Sequence, residues 1–136
     1  MEEKKIVVIN DSGLSCRSEK WHKEHSLAQL QAAVGGYIEI VRTQQPIPAL
    51  VRMLGYDKAK HIVLVVDDEG LLKGKRYNLT ARWIVGYPGA LAGPAVVMYE
   101  GYNDDGEPDL LPLTDDDASI VLSCLGRIGC RLERDT

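Results

Sequence analysis

Apolar positions along the chain come in two patterns: unbroken β-branched runs of four or five residues, and stretches where apolar residues recur every three or four positions. The first pattern marks buried strands and the second marks amphipathic helices. Ile6-Val7-Val8-Ile9 is such a run, ended by the turn spelling Asn10-Asp11-Ser12-Gly13. Leu14 to His25 is polar and mixed, and suits an edge-like strand and an open loop equally well. Ser26 ahead of Leu27, with Gln29 three residues on, spells a capping box in which the hydroxyl meets an orphan amide and the Gln reaches back. Leu27, Leu30 and Val34 then keep one helical face until Gly35-Gly36 supplies a left-handed stop. Tyr37-Ile38-Glu39-Ile40-Val41 reads as a strand with a solvated position at Glu39.

Pro46 and Pro48 precede a short helix over Ala49 to Leu54, closed by Gly55; proline suits a first turn because that amide has no helical partner. Tyr56 to Lys60 reads as a polar connection. Ile62 to Val66 is the most apolar run and is expected to be a central strand, followed by a hairpin-type turn at Glu69-Gly70 with Leu71-Leu72-Lys73 returning alongside. Asn78 caps a helix over Leu79 to Val85 that closes at Gly86, although Ile84-Val85 would equally suit a strand. Ala95 to Tyr99 is expected to be the last strand, and Asn103 to Asp109 an acidic loop. Thr114 caps a final helix with Asp115, Asp116 and Asp117 in its positive first turn, an apolar stripe of Ala118, Val121, Leu122 and Leu125, and an end at Gly126 or Gly129. Short helices and one hairpin predict an α+β fold. The expected architecture is a mixed or largely antiparallel sheet of four to six short strands, with short helices packed mainly on one face, in a single domain over residues 1–136.

Composition narrows the function. At 136 residues, 45% hydrophobic and 26% charged, the chain has the make-up of one globular domain. A net charge of −4 argues against a domain that wraps nucleic acid. No run of about 18 apolar residues exists to span a bilayer, and Met1-Glu2-Glu3-Lys4-Lys5 leads into an apolar segment too short for a signal peptide. The three cysteines, Cys16, Cys124 and Cys130, are an odd number in a chain long enough to fold without disulfides, so reduced thiols and a cytoplasmic location without membrane contact are expected. There is no Phe against six Tyr and two Trp. The aliphatic runs can supply the core, which leaves tyrosine rings free to line a site.

Four constellations carry candidate chemistry. The basic segment Lys73-Gly74-Lys75-Arg76-Tyr77-Asn78, with Arg82 one turn on, brings cations to the start of the Asn78-capped helix. That arrangement suits a phosphate or carboxylate, with Tyr37 and Tyr77 to stack on a flat ring; the alternative is a solvated turn and a plain cap. Tyr37, Lys75, Arg76, Tyr77, Asn78 and Arg82 are the expected ligand-binding residues. Neither G-x-x-x-x-G-K-[ST] nor G-x-G-x-x-G is present. The acids Asp104, Asp105, Glu107, Asp109 and Asp115 to Asp117 lack the EF-hand spacing and read as solubilising and helix-capping charges. Cys16, His22 and His25 lie within ten residues but not at a finger spacing. Spacing proposes no acid/base pair, and no Gly-x-Ser-x-Gly elbow exists. No metal, cofactor or catalytic residue is expected.

Val34-Gly35-Gly36-Tyr37-Ile38-Glu39-Ile40-Val41, then Val65-Val66-Asp67-Asp68-Glu69-Gly70-Leu71-Leu72-Lys73-Gly74, then Asn78 with Ala81, and Leu91-Ala92-Gly93-Pro94-Ala95-Val96-Val97 resemble a family of small domains of unknown function from phage, plasmid and other mobile-element genomes. The likeness runs from about Leu27 to Val97. It implies that Asn78 is the family's hallmark asparagine. The chain departs from the pattern at the Pro46 to Lys60 insertion, at the basic Lys75-Arg76-Tyr77 and at Gly93-Pro94. The expected function is a non-enzymatic accessory protein of a phage or mobile element that binds a small anionic, nucleotide-like ligand, possessing a counter-defence role, in a pocket between protomers of a homo-oligomer. The alternatives are an acidic interaction module that inhibits a host protein through Asp104 to Asp117, and a metal-dependent hydrolase built on Cys16, His22 and His25 or on the acidic loop.

Overall fold

The computed structural model describes residues 3–133, so Met1 and Glu2 of the charged start and residues 134–136 lie outside it. Its strands are β1 (Lys4–Ile9), β2 (Ser15–Lys20), β3 (Ile38–Arg42), β4 (Ile62–Asp67), β5 (Ala95–Tyr102), β6 (Pro108–Leu111), β7 (Leu113–Thr114) and β8 (Arg131–Leu132). Its helices are α1 (Ser26–Val34), α2 (Pro48–Leu54), α3 (Tyr56–Lys60), α4 (Leu79–Val85) and α5 (Asp115–Arg127).

The strands form one open sheet in the order β3-β4-β5-β1-β2-β8, with β6 on the outer half of β5 and β7 on the start of β1. Every pairing is antiparallel except β2 with β8, so the sheet is mixed. Unbroken apolar runs arise because both faces are covered. Val7 and Ile9 of β1, Leu64 and Val66 of β4 and Val97 of β5 point into a larger core beneath α2, α3, α4 and α5. Ile6, Val8, Val63, Val65, Val96 and Met98 point the other way, onto Leu30 and Val34 of α1. The helices thus lie mainly on one face, and of the described helices α1 covers the other, with Trp21 and Leu110 packed beside it.

The strand count corrects the expectation of four to six, since the described residues form eight. The additional strands are short or polar, and they form by pairing with a neighbour's backbone without an apolar run of their own. The strand from Ala95 runs on to Tyr102 and is not the last. Asn103 to Asp109 closes its hairpin with β6, where Asn103 Oδ1 accepts the amides of Asp105 and Glu107. Leu14 to His25 resolves into β2 and a short 3-10 turn over Lys23–His25.

Three further local expectations are corrected. Leu71 to Lys73 does not return as a strand; it winds into a tight turn in which the Lys73 amide reaches Glu69 O and the Lys75 amide reaches Gly70 O. Tyr56 to Lys60 is helical. The capping box at Ser26 is absent because the 3-10 turn feeds straight into α1; Gln29 instead ties down the incoming chain, donating to Lys20 O and accepting from the His22 amide. Gly35 does close α1 in the left-handed conformation, with φ +81°.

Gly86 ends α4 at φ +65°, and a Cβ there would overlap Gln45 O, where the chain crosses back to bond Val85 O. Gly86→Ala should therefore lower stability by about 2 kcal/mol through backbone strain and overpacking, read as a drop in thermal midpoint.

Candidate functional site

The basic segment does not form the open pocket that its spelling suggests. Asp67 ends β4 with a side chain wholly closed to solvent, and two of the lysines fold back onto it: Lys73 Nζ lies 2.9 Å and Lys75 Nζ 2.6 Å from Oδ2. The same ammonium groups donate to the end of α1, Lys73 to Gly35 O and Lys75 to Val34 O, where the helix dipole favours positive charge. The Glu69 amide caps the other carboxylate oxygen at 2.9 Å. Burial alone would push the Asp67 carboxyl up. The Lys73 and Lys75 ammonium groups and the Glu69 amide outweigh burial and hold it well below the usual carboxylate range. Lys75, expected to meet a ligand, is committed to this ion pair.

Asn78 is likewise committed. It is buried, and its Oδ1 accepts the Ala81 amide as the N-cap of α4. Its Nδ2 donates to Asn10 O at 3.0 Å and to Gly93 O at 3.1 Å. The start of α4 therefore faces the β1–β2 turn and the Gly93 loop, with the Asn78 side chain bonded to both. Arg76 is exposed, with no ion-pair partner among the described residues. Tyr37 and Tyr77 are 71% and 64% exposed, one at the start of β3 and the other bridged by its backbone to Ala92. The six expected ligand residues thus share a region without converging on one point.

Arg82 is placed differently. Its Nε donates to Tyr87 O and its Nη2 to Pro88 O, both at 3.1 Å, which stiffens the guanidinium and leaves the rest of the fork facing solvent. Beside it Leu79, Trp83, Gly86 and Tyr87 complete a cleft of about 440 Å³. Ala81, Ile84 and Val85 take the core face of α4, so Trp83 is left 57% exposed. A fixed cation in one cleft with an indole and a phenol offers a charge-assisted donor and aromatic faces side by side. Trp83, Leu79 and Tyr87 were not among the expected site residues. The available signal was a second apolar face on a seven-residue helix that needs only one.

The acids are also partly consumed. Asp115 pairs with Lys5 at 2.8 Å, and buried Asp117 pairs with Lys58 and accepts the Tyr99 hydroxyl at 2.9 Å. Burial, together with that bond to Asp117, raises the Tyr99 phenol well above its ordinary value. Cys16 points into the core beside Cys130, where burial pushes its thiol up to about 12, while His22 and His25 are exposed beyond the far end of β2. Among the described residues no three His, Cys, Asp or Glu side chains gather as metal ligands. None of the described helices is long and apolar enough to cross a membrane.

Comparison with known proteins adds a family and a fold. A family model described as a domain of unknown function (DUF3846) matches residues 4–123. No curated protein matches the sequence. A solved structure with a similar fold is the crystal structure of small RNA methyltransferase HEN1, with a TM-score of 0.52 and 18% identity. The likeness covers 88% of this chain but only 16% of that one, and at this identity it speaks to fold alone.

Proposed function

We propose that this chain, which belongs to the DUF3846 family of domains of unknown function, is a non-enzymatic binding protein whose α4 cleft takes a small, planar, anionic ligand of the nucleotide kind. The observation that carries this reading is the Arg82 guanidinium, braced by two carbonyls and flanked by Trp83 and Tyr87 in one cleft. The volume falls in the range of about 300–1,000 Å³ usual for small-ligand sites. An indole face stacks on a base or similar ring, and the free edge of the arginine fork reads a phosphate or carboxylate. The phage or mobile-element setting implied by the resemblance makes sequestration of a small signal, as counter-defence, the role such a binder would serve.

Tryptophan fluorescence tests this directly, because ligand stacked on exposed Trp83 changes its emission. Nucleoside monophosphates and cyclic nucleotides should quench the signal saturably. Arg82→Gln should weaken binding roughly ten-fold or more through loss of a charge-assisted hydrogen bond. Lys75→Gln should leave affinity unchanged. No quenching by any of these ligands at millimolar concentration, or equal affinity in Arg82→Gln, would refute the reading.

One observation favours a second reading. Leu79 stands two-thirds exposed in the same cleft, at 66%, next to the exposed Trp83, an apolar surface of the kind that protein partners cover. The group of acids from Asp104 to Asp109 is exposed on its own hairpin and offers a host protein a separate, charged contact.

A further inference from the structure

The ion pairs at Asp67 brace a projection. Residues 68–74 wind into a compact turn held by Lys73 N–H to Glu69 O, Gly74 N–H to Leu71 O and Lys75 N–H to Gly70 O, over the Lys73 and Lys75 anchors. At its tip Leu72 is 86% exposed, with Leu71 beside it, acids Asp68 and Glu69 on the leading side and Lys73 on the trailing side. A rigid apolar knob has little ordering entropy left to lose on docking.

At the other end of α1 lies its complement. A hollow of about 1000 Å³ runs between the start of α1 and the β5–β6 hairpin. Leu27, Leu30 and Leu110 line it with Trp21; Lys20 and Lys23 stand on one wall, and Asp104 and Asp109 on the other. Lys20 and Lys23 have no ion-pair partner among the described residues. The knob presents the acids Asp68 and Glu69 next to its leucines, with Lys73 turned back onto Asp67, and the hollow sets Lys4, Lys20 and Lys23, with Glu3 among them, next to its apolar floor, so the match is acid to base and leucine to floor. The hollow reaches along α1 as far as Ile38, but its charged walls lie at the start of that helix and the knob is tied to its last turn, nine residues and so about 13 Å away, so a knob does not reach those walls in its own chain. The same separation lets a second copy, laid antiparallel along α1, fill both at once. The helix surface between them permits that approach, since Ala28, Ala32 and Gly35 are exposed and small.

We propose that two copies of this chain pair about a two-fold axis through antiparallel α1 helices, each Asp68–Lys73 knob seated in the other's hollow. The contact is isologous and closes at two protomers. It is independent of the α4 cleft and stands or falls separately from ligand binding.

Sedimentation equilibrium of the full chain over micromolar to millimolar concentration reads the result. Wild type should show a reversible monomer–dimer equilibrium. Leu72→Asp and Leu27→Asp should each raise the dimer dissociation constant roughly ten-fold or more, as loss of an apolar anchor does. Lys23→Glu and Glu69→Lys should each weaken pairing, and the double variant should restore it. A wild type that stays monomeric, or a dimer indifferent to Leu72→Asp and Leu27→Asp, would overturn the proposal. If either leucine variant fails to fold by circular dichroism, the charge exchange decides: rescue supports the pairing and absence of rescue overturns it.

Discussion

Asn78→Ala is expected to be among the most damaging single substitutions in the chain, costing about 4 kcal/mol in denaturant unfolding at neutral pH. The sum has two parts. Loss of the N-cap bond to the Ala81 amide contributes about 1 kcal/mol. Gly93 O, now facing a buried methyl, loses its donor at about 1–3 kcal/mol, and Asn10 O, which keeps the Gly13 amide, loses a second bond at about 0.5–1.5 kcal/mol. Asn78→Asp separates these parts, because it keeps the oxygen that caps α4 and replaces the donor by a second oxygen aimed at two carbonyls. At neutral pH it should be at least as unstable as the alanine variant. Burial among carbonyls raises such a carboxyl above its unfolded value, and the neutral form can donate one of the lost bonds. Asn78→Asp should therefore gain stability relative to wild type as pH falls through that raised pKa, whereas Asn78→Ala should not. Equal behaviour of the two at pH 7 and pH 4.5 would show that the Nδ2 bonds contribute little.

The same residue shows how far the sequence could be read. The cap was legible because Asn ahead of a short apolar-periodic stretch has a local meaning, and Asn78 does accept the Ala81 amide. Its other bonds reach 68 and 15 residues away, to Asn10 and Gly93, and no local pattern reports them. A buried crosslink and a ligand contact therefore have the same local spelling at Asn78. β1, β4 and β5 were legible because a strand covered on both faces must be apolar throughout. β2 (Ser15-Cys16-Arg17-Ser18-Glu19-Lys20) is mostly polar and β6 (Pro108-Asp109-Leu110-Leu111) is only four residues long, and only their neighbours' backbones make them strands. The basic segment misled for a related reason: Lys73 and Lys75 lie six and eight residues beyond Asp67, and only the tight turn between them shows that they return to it. Of the expected ligand residues, Arg82 alone lines the cleft, and the aromatic groups around it come from the face of α4 that the core does not use.

Asp67→Asn should be the other large loss, about 3 kcal/mol at neutral pH, since removing one member of a buried ion pair leaves the remaining charge uncompensated. The amide keeps the volume and can still accept the Glu69 N–H, so the change isolates the charge facing Lys73 and Lys75. Its pH dependence has a definite sign. A carboxyl held below its unfolded pKa stabilises the fold fully above the unfolded value, and that contribution fades as pH falls toward the folded value. The stability gap between wild type and Asp67→Asn should thus be full at pH 7, shrink below about pH 5 and be small near pH 2; the gap to Asn78→Asp shrinks as pH falls too, but there because the variant gains and not because wild type loses. Urea unfolding of both proteins across that range measures it, and a gap that stays constant would mean the charge contributes nothing. The loss is also local in origin. Lys73 and Lys75 tie the turn after β4 to the end of α1, so Asp67→Asn frees the knob that carries Leu71 and Leu72 before it loosens the sheet. Amide exchange should accordingly accelerate first at residues 68–75, and dimerisation should weaken even where the fold survives.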